Sequence, residues 1–316
     1  MGTLIHGKAG EKRMLYVLFF VFAAGLFAAI PLRTYSLALL VDPKTGFFRT
    51  PHPVIPIYYV VLVVCCVLFV ALCLRRGSCT LSPRSESRFI GLSGMLSGLL
   101  LVVEGALSLV GSLPVLPEQW PALALGALEI VAGSAFGLGH FLLLNGYSRS
   151  RVAALLPIPL LVWGAAKLLI FVLTTLTLVQ VSQNLLDLWW QCSLLLFLLA
   201  FSRGMFLGEP GNARLAAGFG LCTAFLSFAV YFSRVLSLLA SDIPGLLALL
   251  PGDAARLTLG VFAYACAVAV IFSSSQPAFR RPSSQPEGGG YYYHARTEGE
   301  KRVERRLDDL FEDLGQ

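Results

Sequence analysis

The chain is short of charge. Asp, Glu, Lys and Arg make up 13% of its 316 residues, where a soluble domain carries about 25%. So few charges cannot cover a water-exposed surface, and with 56% hydrophobic residues the medium around most of the protein is lipid. Catalytic signatures are missing as well: the sequence contains no HExxH, no GxSxG and no GxxxxGK[ST]. Its four histidines, His6, His52, His140 and His294, are too scattered to form one metal site. Neither an enzyme class nor a cofactor is implied. There is no CxxC and no Cys/His spacing for zinc. Cys65, Cys66, Cys73, Cys79, Cys192, Cys222 and Cys266 read as small hydrophobes. The net charge of +6 is not gathered into a basic stripe on a soluble domain, which excludes a nucleic-acid partner.

Long apolar runs are what the chain does have. A membrane span needs about 20 mainly apolar residues, and runs at 14–31, 54–74, 89–113, 121–145, 152–181, 185–207, 215–239 and 257–274 approach or meet that length. The first follows Glu11-Lys12-Arg13 and reads as an uncleaved signal anchor. The fold class expected is an all-α polytopic bundle of about eight transmembrane helices. Lys and Arg placement orients it. With both termini in the cytosol, 18 of the 24 basic residues fall in inner segments; Arg33, Lys44, Arg49, Arg234 and Arg256 fall in outer ones, and Lys167 lies within a span. Trp120, Trp189 and Trp190 fall at outer span ends, as an aromatic belt would, while Trp163 lies near mid-span. The longest outer connections are residues 32–53 and 240–256; the second, Leu-rich between Pro244 and Pro251, reads as a short interfacial helix.

Composition changes after Ser275. The expected organisation is a bundle over residues 1–275, a flexible linker over 276–294 and a cytosolic amphipathic helix over 295–316. Thr297 and Glu300 make a capping box, and Val303, Leu307, Leu310, Phe311 and Leu314 recur on one face. Five basic against seven acidic residues from Ala295 onward argue against anionic lipid as the cover for that face. A cytosolic protein partner or self-association fits it better.

The residues that stand out are charges inside apolar runs, each costing at least about 2.5–3.5 kcal/mol on insertion scales. At 1.5 Å per residue, Glu104, Glu129 and Lys167 come to one depth, in the outer half of three consecutive spans. Gly94–Gly98 and Gly133–Gly137 are GxxxG pairs, which let helix backbones approach. Gly94, Ser97, Glu104, Ser108 and Gly111 share one stripe; Gly126, Glu129, Gly133, Gly137 and His140 share another. The acids therefore face a helix–helix interface. A structural ion pair and a polar cavity for a ligand, ion or proton both fit. Two acids against one base would leave one carboxylate to be protonated or to hold a cation. His140, near an inner end, and Asp187 and Arg234, near the outer surface, are secondary candidates.

The stretch Phe201-Ser202-Arg203-Gly204-Met205-Phe206-Leu207-Gly208-Glu209, with Arg214 beyond it, resembles a segment of uncharacterised multi-pass membrane proteins of clostridial bacteria. Asp42-Pro43-Lys44-Thr45-Gly46-Phe47-Phe48 is similar to another such segment. The resemblance implies a bacterial inner membrane and carries no activity, cofactor or site residue. Three roles stay open: a small-molecule or ion transporter using the Glu104/Glu129/Lys167 layer, a sensor acting through the C-terminal helix, and a scaffold for an envelope complex.

Overall fold

The computed structural model describes residues 2–42, 48–75, 88–112, 120–145, 158–175, 181–207, 210–241 and 243–273. The linker and C-terminal helix expected over 276–316, and Cys79 with its loop, lie outside the described residues. Among the described residues the protein is helical, and its only bridge joins Val41 to Phe48. The helices are α1 (Gly2–Tyr35), α2 (Val54–Leu74), α3 (Arg88–Ser112), α4 (Trp120–Leu144), α5 (Ile158–Thr175), α6 (Val181–Leu207), α7 (Pro210–Leu226), α8 (Ser233–Ser241) and α9 (Ile243–Ser273). A π-helical segment, Ser36–Leu40, prolongs α1, and another, Ser227–Phe232, joins α7 to α8 as one pass. In hydrocarbon every backbone N–H and C=O must be satisfied within its own segment, which is why such apolar runs close into helices.

Seven passes are long and apolar enough to cross a membrane; the eighth, Ile158–Leu173 on α5, is shorter. Chain direction settles its role. The Tyr58 hydroxyl donates to the Ala229 carbonyl, and the Cys222 thiol to that of Cys66, so α2 and α7 are antiparallel. Tyr231 reaches Asp187, Trp190 reaches Ser227 and Ser193 meets Thr223, so α6 opposes α7. Ser227 meets Arg256 while Gly220 meets Ala263, so α9 also opposes α7 and runs with α6. Glu104 pairs with Arg256 on α9 and Gly105 abuts Gly126 on α4. At the far end His140 lies between Gly94 and Phe262. Hence α3 opposes both α4 and α9. Helices α4 and α6 thus run the same way, and the return between them falls to the stretch that contains α5. Phe19 beside Phe272 and Phe22 beside Tyr264 set α1 against α9. The passes alternate, and α1 begins on the face where α9 ends.

The closest seam lies between α3 and α4. A Cβ on Gly98 would sit 2.5 Å from the Gly137 nitrogen and 2.6 Å from the Gly133 carbonyl oxygen, and one on Gly105 2.7 Å from the Gly126 carbonyl. Gly111 meets open space, so the expected stripe ends short of it. Phe22, Phe69, Phe225 and Phe262 are buried between the passes. Outward lie exposed apolar side chains such as Phe20, Phe27, Val67, Leu99 and Leu173, an apolar exterior that suits contact with lipid.

Four expectations need correction. Pro31 does not end the first span: the helix runs through it to Tyr35, as lipid-embedded helices tolerate proline when neighbours satisfy the freed groups. The short helix expected between Pro244 and Pro251 is not separate from the last span: α9 runs unbroken from Ile243 through Pro251 to Ser273. Arg33, Arg234 and Arg256, assigned to outer segments, instead enter the bundle, because partners on other helices replace the water they would lose. Trp120 is exposed, as a belt residue should be, but Trp190 is buried and donates to Ser227 Oγ at 2.7 Å.

Gly98→Ala should lower the unfolding free energy by about 1–3 kcal/mol, since the new methyl meets backbone rather than a side chain that can swing away. Equilibrium unfolding in mixed micelles measures it; an unchanged midpoint would mean that α3 and α4 are not this close.

Candidate functional site

Eight residues along α3 from its end at Ser112, and nine into α4 from Trp120, the chain places Glu104 and Glu129 about 12–14 Å below one face of the bundle. Lys167, eight residues before the end of α5, comes to the same depth. The structure brings the three together: Lys167 Nζ is 3.3 Å from Glu129 Oε1 and 3.5 Å from Glu104 Oε1. Local packing holds them there. The Gly105–Gly126 contact brings the two carboxylate-bearing helices together. At Gly164, three residues before Lys167, the carbonyl accepts from Gln191 Nε2 at 3.1 Å, tying α5 to α6. The Lys167 ammonium stands 4.7 Å over the Trp163 ring, an attraction that strengthens out of water.

Three charged residues of this layer, Arg33, Asp253 and Arg256, were not among the sequence candidates. Arg256 on α9 reaches Glu104 Oε1 at 3.7 Å and Asp253 Oδ1 at 3.3 Å. Asp253 also receives both arms of Arg234, Nε to Oδ2 at 2.7 Å and Nη2 to Oδ1, the planar fork that only arginine offers a carboxylate. Tyr231, carried in by the π-helical segment, lies under both guanidiniums, 5.7 Å from Arg234 and 5.1 Å from Arg256. Its hydroxyl donates to Asp187 Oδ1 at 3.0 Å. Gln183 donates from Nε2 to the same oxygen at 3.0 Å, and its Oε1 accepts from Arg33 Nη2 at 2.6 Å. Arg33 in turn lies 5.7 Å from the ring of Tyr58 on α2. Every pass contributes a member to this chain.

The expected surplus carboxylate is therefore absent. Among the described residues Glu104, Glu129, Asp187 and Asp253 stand with Lys167, Arg256, Arg234 and Arg33, four acidic side chains to four basic ones. Of the secondary candidates, Asp187 and Arg234 belong to the chain but bind Tyr231 and Asp253 rather than each other. His140 does not join it: its Nδ1 lies 2.9 Å from the Phe136 carbonyl of its own helix, and its ring packs between Phe136 and Phe262. A signal for the missed residues was available. The run expected at 257–274 is short for a span, so its helix had to begin earlier and carry Asp253 and Arg256 into the bundle.

Two polar atoms at the Lys167 end are buried without a hydrogen-bond partner, Glu104 Oε2 and Trp163 Nε1. Among the described residues no group of three or more His, Cys, Asp or Glu is placed to hold a metal ion. An open cleft of about 600 Å³ lies at the α1–α2 connection between Phe48, His52 and Pro56, and none of the layer's side chains lines it. Compared with protein-family models, curated proteins and solved structures, the chain matches none.

Removing Lys167 strands Glu129, whereas Glu104 keeps Arg256. Lys167→Met should therefore cost about 3–5 kcal/mol of unfolding free energy, and Glu129→Gln in the same chain should recover most of it, while Glu104→Gln should not. Equal recovery by both second changes, or by neither, would contradict the assigned pairing.

Proposed function

We propose that this multi-pass membrane protein binds a small polar molecule or ion at the Glu104/Glu129/Lys167 end of the charge layer, as a transporter or a permease subunit does. The observation that carries this reading is exposure. Glu129 is nearly sealed at 6%, but the side chains of Lys167 and Glu104 are 25% and 17% exposed, although both lie about 12 Å inside the bundle. An ammonium open to hydrocarbon costs several kcal/mol, and pairs that only lock helices are best closed on every side. An opening at Lys167 favours a wet, ligand-accessible recess. The π-helical segment Ser227–Phe232 agrees, because such insertions concentrate at functional sites.

The face where α3 ends is the nearer one to these residues, and we place it outside a cell membrane, with both termini in the cytosol. Once Arg33, Arg234 and Arg256 are withdrawn into the bundle, the connections on that side keep only Lys44 and Arg49 of the five basic residues assigned to them, which sharpens the positive-inside bias.

Ser108 lies one turn above Glu104 on the same helix face. A Ser108→Cys variant in sealed cells should react with a membrane-impermeant cationic thiosulfonate, while the parent chain, whose described cysteines are buried or half-buried, should not. A thiol at 108 that reacts only after the membrane is opened would reverse the orientation, and one that never reacts would remove the wet recess and the function with it.

A further inference from the structure

Glu104 and Glu129 meet where their helices are pressed together. The residue after Glu104, Gly105, lies so near α4 that a Cβ on it would stand 3.1 Å from the Cβ of Glu129. One ammonium reaches both carboxyls, with Lys167 Nζ 3.3 Å from Glu129 Oε1 and 3.5 Å from Glu104 Oε1. The two carboxyls are also hydrogen-bonded to each other. Ionised carboxylates only accept, so such a bond exists only when one of the two holds a proton. A second observation points the same way. Glu104 Oε2 is buried, and no N–H or hydroxyl donor reaches it; an acceptor left so costs about 1–3 kcal/mol. The site is tightly packed, and a proton is the one ligand that needs no cavity.

The charges around the pair leave both of its states within reach. Glu104 faces Glu129 on α4, Lys167 on α5 and Arg256 on α9; Glu129 faces Glu104 on α3 and the same two cations. Asp253, behind Arg256, is occupied by Arg234 and Arg256. With both carboxyls ionised the two cations match them, but like charges lie in contact. With one proton the carboxyls bond to each other, and one positive charge is left over. Each state satisfies what the other leaves unmet. Lys167 touches both acids and is the most exposed of the three, at 25%, so exchange with water runs past its ammonium.

We infer that Glu104 and Glu129 share one exchangeable proton and titrate as a single unit. The inference rests on the proposed binding function and names its ion.

The test is infrared difference spectroscopy of the full chain in lipid nanodiscs, in ordinary and in heavy water. A protonated carboxyl shows a C=O stretch that an ionised one lacks. At neutral pH this band should be present, and it should move to lower frequency in heavy water and again when glutamate carries heavy carbon in its side-chain carboxyl. It should fade in one step as the pH rises. Both Glu104→Gln and Glu129→Gln should abolish it, because either acid left alone keeps a cation and ionises. A band that survives one of these substitutions belongs to a single acid and overturns the sharing. A band indifferent to heavy water or to pH is a fixed structural proton and overturns the exchange. These solvent and label arms use the unsubstituted chain, so they decide even where a variant fails to fold. No glutamate band at any pH means that both acids are ionised and overturns the inference; binding of another ion or molecule then stands or falls with the reactivity of a thiol at position 108.

Discussion

Asp253 is 1% exposed and is held by Arg234, one pass away, and by Arg256 one turn along its own helix. The rest of the layer hangs from this carboxylate. Arg256, fixed from one side by Asp253, turns its other amine to Glu104 on α3, and Glu104 leads through Lys167 to Glu129 on α4. On the opposite side Arg234 and Arg256 share the face of Tyr231, whose hydroxyl leads through Asp187 and Gln183 to Arg33 on α1. Apolar packing alone would let these helices slide, because lipid is as apolar as leucine and no hydrophobic force sets their register. A chain of paired charges has one register. Replacing a buried pair by hydrocarbon is often neutral in stability, whereas removing one partner is costly, so the layer acts through specificity more than through net binding energy.

Much of the fold was legible because the bilayer imposes it. Length and apolarity alone locate the passes, and the GxxxG pairs Gly94–Gly98 and Gly133–Gly137 mark the α3–α4 seam that the structure closes. The common depth of Glu104, Glu129 and Lys167 followed from helical rise on three consecutive spans, and the structure joins them. What was not legible follows from reading charges one at a time. Arg33 and Arg256 looked like residues that need water, so the first and last spans were cut short of them, and Arg234, inside the run at 215–239, was assigned to the outer surface. Their partners lie on other passes, up to 152 positions away for Arg256 and Glu104, and a hydropathy window does not see such partners. The surplus carboxylate expected from two acids and one base was a consequence of the same truncation.

The π-helical segment at Ser227–Phe232 links the architecture to the site. An extra residue in the turn rotates the helix beyond it, and here Ser227 faces Trp190 and Arg256 while Tyr231 lies between two guanidiniums and Asp187. No propensity in the sequence Ser227-Phe228-Ala229-Val230-Tyr231-Phe232 marks it as irregular. The irregularity is stabilised by tertiary hydrogen bonds, which is why it escapes a local reading.

The central claim is that paired, buried charges set how these passes sit against one another. The most direct measurement is the coupling free energy between Arg234 and Asp253, from a cycle of Arg234→Leu, Asp253→Leu and the double variant unfolded in lipid bicelles. An exposed ion pair couples by about 0.2–1 kcal/mol. This account predicts a coupling of about 3 kcal/mol, with each single variant less stable than the double. Additive losses, or a coupling within the exposed range, would contradict it.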